Sequence, residues 1–148
     1  MNLLFVCSGN TCRSPLAEAL ARKIAERRGI DHLNVSSAGT NAWDNVPATD
    51  EALLVGMERD LDLGGHRSRK LTPEIVSEAD LIFVMTPGHL DQVKQMGGRG
   101  KVHVIDEYAS GASNKGIADP YGGDLEAYRN TADILEQELE RLFDRLES

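Results

Sequence analysis

Four apolar residues, Leu3-Leu4-Phe5-Val6, run straight into a cysteine, a short polar loop and a proline: Cys7-Ser8-Gly9-Asn10-Thr11-Cys12-Arg13-Ser14-Pro15. An unbroken apolar run of this length predicts a buried strand, and Leu81–Met85, apolar throughout, predicts one covered on both faces of a sheet. Ser14-Pro15 is a helix start signal, with Ser as N-cap and Pro at the first helical position. The spacing of Leu16, Ala19, Leu20 and Ile24 predicts a helix over 15–28, with Gly29 as its stop. The loop therefore joins a buried strand to a helix N-terminus, where free backbone N–H groups and the macrodipole attract an anion. Arg13 adds a planar charge that can grip phosphate through two donors. Cys7 enters the same positive field, which favours a reactive thiolate. A nucleophile and an oxyanion cradle thus share one loop, which points to attack on a phosphoryl group. Cys7 read as an inert buried thiol is the plainer alternative, but the end of a strand before a glycine-containing loop is a poor place for one. The loop is not a nucleotide P-loop, because it lacks the second glycine and the Lys before Ser/Thr.

Along the rest of the chain, strands are predicted at 33–37, 81–85 and 102–105, and helices at 50–59, 73 onward and 87–96. The segment 41–49, with Trp43 and Pro47, reads as a surface loop, and 107–123 as a second loop rich in Gly, Ser and Asn. Leu125, Tyr128, Ala132, Leu135, Leu139, Leu142 and Leu146 recur at helical spacing in a long final helix. Strands alternating with helices imply a parallel sheet with right-handed crossovers and helices on both faces. Ligands in such folds bind beyond the carboxyl ends of the strands, where the Cys7 loop lies.

A chain of 148 residues suffices for one domain over 1–148 and not for two ordinary ones. Its net charge of −8 argues against a nucleic-acid partner. No apolar run reaches membrane-spanning length, which argues against a membrane partner. Two cysteines in one loop form no disulfide framework, so a reducing cytoplasm is expected. The sequence leaves the oligomeric state open.

The segment Cys7–Pro15 resembles the phosphate loop of the low-molecular-weight protein tyrosine phosphatase family. The resemblance continues through Ser37-Ala38-Gly39, Gly65-His66-Arg67-Ser68, the strand ending at Met85, and Asp119-Pro120-Tyr121, and covers essentially the whole chain. It implies an α/β three-layer sandwich with a four-stranded parallel sheet and helices on both faces (phosphotyrosine protein phosphatase I-like). It also implies hydrolysis of phosphorylated protein side chains through a phosphocysteine intermediate, with inorganic phosphate as product and neither metal nor cofactor. Cys7 is then the nucleophile. Ser8, Gly9, Asn10, Thr11, Cys12 and Arg13 hold the phosphate, and Asp119 is the general acid. Asn10, Ser14, Ser37 and His66 match the family's loop-supporting polar network, with Ser14 donating to the Cys7 sulfur. Cys12 matches a partner that captures oxidised Cys7 as a disulfide, against the plainer reading of a small side chain packed under the loop. His32, His89 and His103 keep the default reading of structural histidines.

Within that family, Thr11 takes a position where tyrosine-specific members carry a bulky aliphatic residue. The protein arginine phosphatase branch is similar here and again at Ala118-Asp119-Pro120-Tyr121-Gly122-Gly123. A β-branched hydroxyl leaves space and a polar partner for a planar guanidinium. Trp43 falls where tyrosine-specific members place an aromatic wall, and with Tyr121 it lines the expected slot; either can stack on a phenol or a guanidinium. Phosphoarginine is the favoured substrate and phosphotyrosine the alternative. Arsenate reduction on the same fold needs thiols beyond the loop, and none follows Cys12. A non-catalytic phosphate-binding module is the remaining reading.

Overall fold

Leu3, Phe5 and Cys7 of β1 (Asn2–Cys7) face one side of the sheet, while Leu4 and Val6 face the other, and all five are buried. That alternation explains the uninterrupted apolar run, since a strand with helices on both sides has no solvent face. The computed structural model describes residues 1–111 and 115–147. Positions 112–114 of the expected 107–123 loop, and Ser148, lie outside the described residues.

The element order after β1 is α1 (Arg13–Arg27), β2 (Asn34–Gly39), α2 (Asp50–Glu58), α3 (Pro73–Glu78), β3 (Leu81–Val84), α4 (Pro87–Val93), β4 (Val102–Val104), α5 (Ile105–Ser110) and α6 (Leu125–Glu147). The four strands pair in parallel in the order β2-β1-β3-β4. The chain thus moves outward in opposite directions from β1 and β3, and their carboxyl ends flank the crevice where such sheets bind ligands. The core on the Phe5 side takes in α1 and α6, with Leu16, Leu20, Ile24, Tyr128, Leu135, Leu139 and Phe143 buried. The opposite core is smaller, built from Leu4, Val6, Leu71, Val76, Ile82, Val84 and Val93. The expected α/β sandwich is the observed one.

Three local expectations need correction. First, α1 begins at Arg13 with Cys12 at the N-cap position and no side-chain cap, so Ser14 is not the cap. The Ser14 hydroxyl is engaged elsewhere, and Pro15 still falls within the first turn, where its missing N–H is harmless. Second, 105–110 is a short helix: Ile105 opens α5 rather than closing the fourth strand, and the expected loop starts only after Gly111. Third, the helix expected over 87–96 gives way at Lys94 to a wide turn over Lys94–Gly98, where Gly97 has φ 100°. Elsewhere the signals hold. Thr49, Thr72 and Thr86 cap their helices through side-chain oxygens, and Gly29 stops α1 in the left-handed conformation. Among the described residues, no helix is long and apolar enough to cross a membrane.

Packing of α6 on the sheet side is a direct test of this core. Leu139→Ala, at a fully buried position, is expected to lower unfolding stability by about 2–5 kcal/mol in urea titrations. Ile134→Ala, on the exposed side of the same helix, is expected to change it by under about 0.5 kcal/mol.

Candidate active site

At the carboxyl end of β1 the chain turns through Ser8–Cys12 into α1. Among the described residues, none of the backbone N–H groups of residues 8–13 donates a hydrogen bond within the chain. They remain available at the positive end of a 15-residue helix, which suits an anion. The Arg13 side chain is buried among them at 4% exposure; its Nη1 donates to the Ile117 carbonyl at 2.9 Å, and its Nε is buried with no partner. A buried guanidinium N–H left unpaired costs stability in the free chain, and an oxyanion is the group that satisfies it.

The loop is held from behind by Asn10, which is fully buried and adopts a left-handed φ of 56°. Its Nδ2 donates to Ser14 Oγ at 2.8 Å and to Ser37 Oγ at 2.9 Å, and its Oδ1 accepts from Arg69 N at 3.0 Å. His66 Nε2 donates to the Asn10 carbonyl at 2.7 Å, which fixes the ring tautomer. Ser14 Oγ lies 2.9 Å from Cys7 Sγ. Because Ser14 accepts from Asn10, its own proton is free to point at the sulfur. In the same way Ser37 accepts from Asn10 and donates to Glu18 Oε1 at 2.8 Å. Gly39, at the end of β2, closes the support: a Cβ there would sit 2.5 Å from the Ser8 carbonyl oxygen and 2.9 Å from Asn10 N.

A cavity of about 630 Å³ opens above the loop and is lined by Cys7, Thr11, Cys12, Arg13, Trp43, Asp119 and Tyr121 among others. Trp43 and Tyr121 are 83% and 72% exposed and stand at its mouth. Asp119 is half-exposed, with Oδ2 3.6 Å from Arg13 Nη2 and Oδ1 accepting from Tyr121 N at 3.0 Å. Thus every residue expected at the site comes to the loop, its supports or its cavity. Cys12 turns its sulfur under the loop, 3.3 Å from the Tyr128 hydroxyl, and burial pushes its thiol pKa up. Both cysteines are free thiols. Among the described residues, no group of three or more His, Cys, Asp or Glu could hold a metal ion.

His89 is the residue that sequence reasoning set aside. It caps no core: its Nε2 lies 2.9 Å from Ser8 Oγ and its Nδ1 2.9 Å from Thr86 Oγ1, so it braces the phosphate loop from the neighbouring strand end. Burial, reinforced by the Arg13 charge, pulls its pKa down to about 4.

A family described as low molecular weight phosphotyrosine protein phosphatase matches residues 2–148. The chain belongs to the low-molecular-weight phosphotyrosine protein phosphatase family. It is 43% identical to the protein-arginine-phosphatase of Bacillus subtilis, over 99% of this chain and 97% of that protein. It is 36% identical to the protein-arginine-phosphatase of Geobacillus stearothermophilus, over 99% and 96%. A solved structure of the YwlE arginine phosphatase, carrying a C7S substitution and a phosphorylated active-site serine, superposes with a TM-score of 0.93 at 42% identity, covering 100% of this chain and 97% of that one. Members of this family are phosphatases, and the chain is one of them.

The His89 shift makes a pH prediction. Between about pH 6.5 and 4 the unfolded chain takes up a proton that the folded one refuses, so stability falls as pH falls. By pH 5 this costs on the order of 2 kcal/mol. His89→Gln should lose less stability than the natural chain between pH 7.5 and pH 5 in urea titrations, whereas parallel losses would contradict the assignment.

Proposed function

We propose that this chain is a protein arginine phosphatase that works through a phosphocysteine intermediate on Cys7. The observation that carries the reading is the pairing of a strand-end sulfur, 2.9 Å from a Ser14 hydroxyl already committed as acceptor to Asn10, with a ring of unpaired loop amides and the buried Arg13 guanidinium. A phosphorylated side chain enters between Trp43 and Tyr121. Amides of residues 8–13 and Arg13 take the phosphoryl oxygens, matching charge that builds in the transition state. Cys7 Sγ attacks phosphorus in line; the P–S bond forms, the P–N bond breaks, and Asp119 gives its proton to the departing guanidine nitrogen. Water then attacks the phosphocysteine, surrenders a proton to Asp119, and releases inorganic phosphate as the sulfur leaves. The Ser14 hydrogen bond stabilises that departing thiolate.

Phosphoarginine is favoured by Thr11, whose small branched side chain lines the cavity, and by the arginine-phosphatase relatives. Phosphotyrosine remains the second reading, favoured by the exposed Trp43 ring at the mouth, which can stack on a phenol. A single catalytic domain over 1–148 accords with one four-stranded sheet whose two cores draw on elements along the chain, and a reducing cytoplasmic setting accords with two free thiols in the site. The Cys12 thiol, buried beneath the loop, is proposed as the partner that captures oxidised Cys7. Peroxide followed by dithiothreitol should restore the natural chain fully and Cys12→Ser only in part.

Cys7→Ser is expected to abolish turnover of phosphoarginine peptides, while a mere binding module is indifferent to that change. Thr11→Ile should lower kcat/KM on phosphoarginine relative to phosphotyrosine peptides by about tenfold, the scale of one lost pocket contact. An unchanged ratio removes Thr11 as the discriminator.

A further inference from the structure

Asp106, in the first turn of α5, is ionisable yet only 7% exposed, and it does not line the catalytic cavity. Its Oδ1 accepts from Glu107 N at 3.0 Å, and its Oδ2 reaches ten residues along the chain to accept from Gly116 N at 3.0 Å. Gly116 has φ 79°, and a Cβ there would lie 2.2 Å from the Met85 carbonyl oxygen and 2.9 Å from Thr86 Cα. The backbone is therefore pressed onto the end of β3 at a point that only glycine can occupy. Ile117 continues the attachment, its N donating to the Met85 carbonyl at 2.7 Å and its own carbonyl accepting from Arg13 Nη1 at 2.9 Å. Asp119 follows two residues later, with Oδ2 3.6 Å from Arg13 Nη2.

We propose that Asp106 is a positioning residue for the reaction: its carboxylate clamps Gly116 N and so sets where the 116–119 segment presents the Asp119 carboxyl to the leaving group. A charged acceptor on a backbone N–H is among the stronger hydrogen bonds available, and its burial keeps water from competing. Asp119 itself is half-exposed, and among the described residues its carboxyl is held by Tyr121 N and, more loosely, by the Arg13 guanidinium. Its aim therefore depends on the backbone on its amino-terminal side. The Asp106 clamp, the Met85 bond and the Arg13 bond fix that backbone at successive residues. Without the clamp, Gly116 loses its directing partner and the carboxyl samples positions that do not reach the departing atom.

The proposal rests on Asp119 being the proton donor, and the test separates the two. A proton donor matters most when the leaving group is weakly acidic, so kcat/KM is compared on p-nitrophenyl phosphate and on phenyl phosphate. Asp106→Ala should lower kcat/KM about tenfold on phenyl phosphate and less than about threefold on p-nitrophenyl phosphate. In an Asp119→Asn background the same substitution should add less than about threefold on either, because both changes act through one group. Asp106→Asn, whose amide oxygen can still accept from Gly116 N, should recover phenyl phosphate activity to within about threefold of the natural chain. Thermal melts followed by circular dichroism report folding; if Asp106→Ala does not fold, Asp106→Ser, too short to reach Gly116, carries the same comparison. Equal losses on the two substrates, no loss on either, or a further tenfold loss once Asp119 is replaced overturns the proposal. If Asp119→Asn alone leaves the ratio of the two substrates unchanged, the reading of Asp119 falls instead.

Discussion

Three separated stretches of chain meet at the buried side chain of Asn10: the phosphate loop with the first turn of α1 at Ser14, the β2 residue Ser37, and the segment at Arg69. Each polar atom of the Asn10 side chain is spent, and its backbone carbonyl takes a further bond from His66. The residue holds a left-handed φ, which Asn tolerates better than other side chains with a Cβ. In that conformation the loop amides find no partner among the described residues and stay available to an anion, while the Asn10 amide hydrogens orient the Ser14 hydroxyl. The contact between Ser14 and Cys7 thus depends on a side chain that does not line the cavity.

The electrostatics follow the same division. The chain carries a net charge of −8, yet the base of the cavity holds Arg13 and an uncapped helix N-terminus. Buried positive charge at the floor and acidic groups such as Asp119 at the rim give an anion a place to bind and a basic group a place to leave from. His89, kept neutral by burial, braces Ser8 without adding a titrating charge near neutral pH. The carboxylates are divided by burial: Asp119 faces the cavity, whereas Asp106 is engaged with backbone.

Much of this was legible in the sequence. The run Leu3–Val6 reads as a buried strand, Leu81–Met85 as a strand covered on both faces, and the alternation of strands with helices sets the sheet type. Asp119 was reachable only through family resemblance, since an Asp-Pro pair is far more often a turn. What stayed hidden depended on contacts between distant segments. Ser14 looks like a helix cap by local rules, but its hydroxyl lies against Cys7, and α1 starts two residues earlier than that cap implies, at Arg13. His89 meets Ser8 across 81 residues because β1 and β3 are neighbours in the sheet; no local spacing announces that. The six residues of α5 are too few to show a helical period, and Ile105 extends an apolar run that reads as strand.

The central claim is that the loop makes the Cys7 sulfur the atom that receives phosphate, and its most direct test is capture of the intermediate. Asp119→Ala, in which breakdown by water is slowed, would be mixed with p-nitrophenyl phosphate, whose leaving group needs little help from a proton donor, denatured within seconds and mapped by mass spectrometry. The account predicts phosphate on the peptide that carries Cys7, attached to sulfur and absent when the Cys7 thiol is alkylated before mixing. Phosphate attached to His89 or another side chain, or release of p-nitrophenol with no phosphorylated protein at any time, would contradict it.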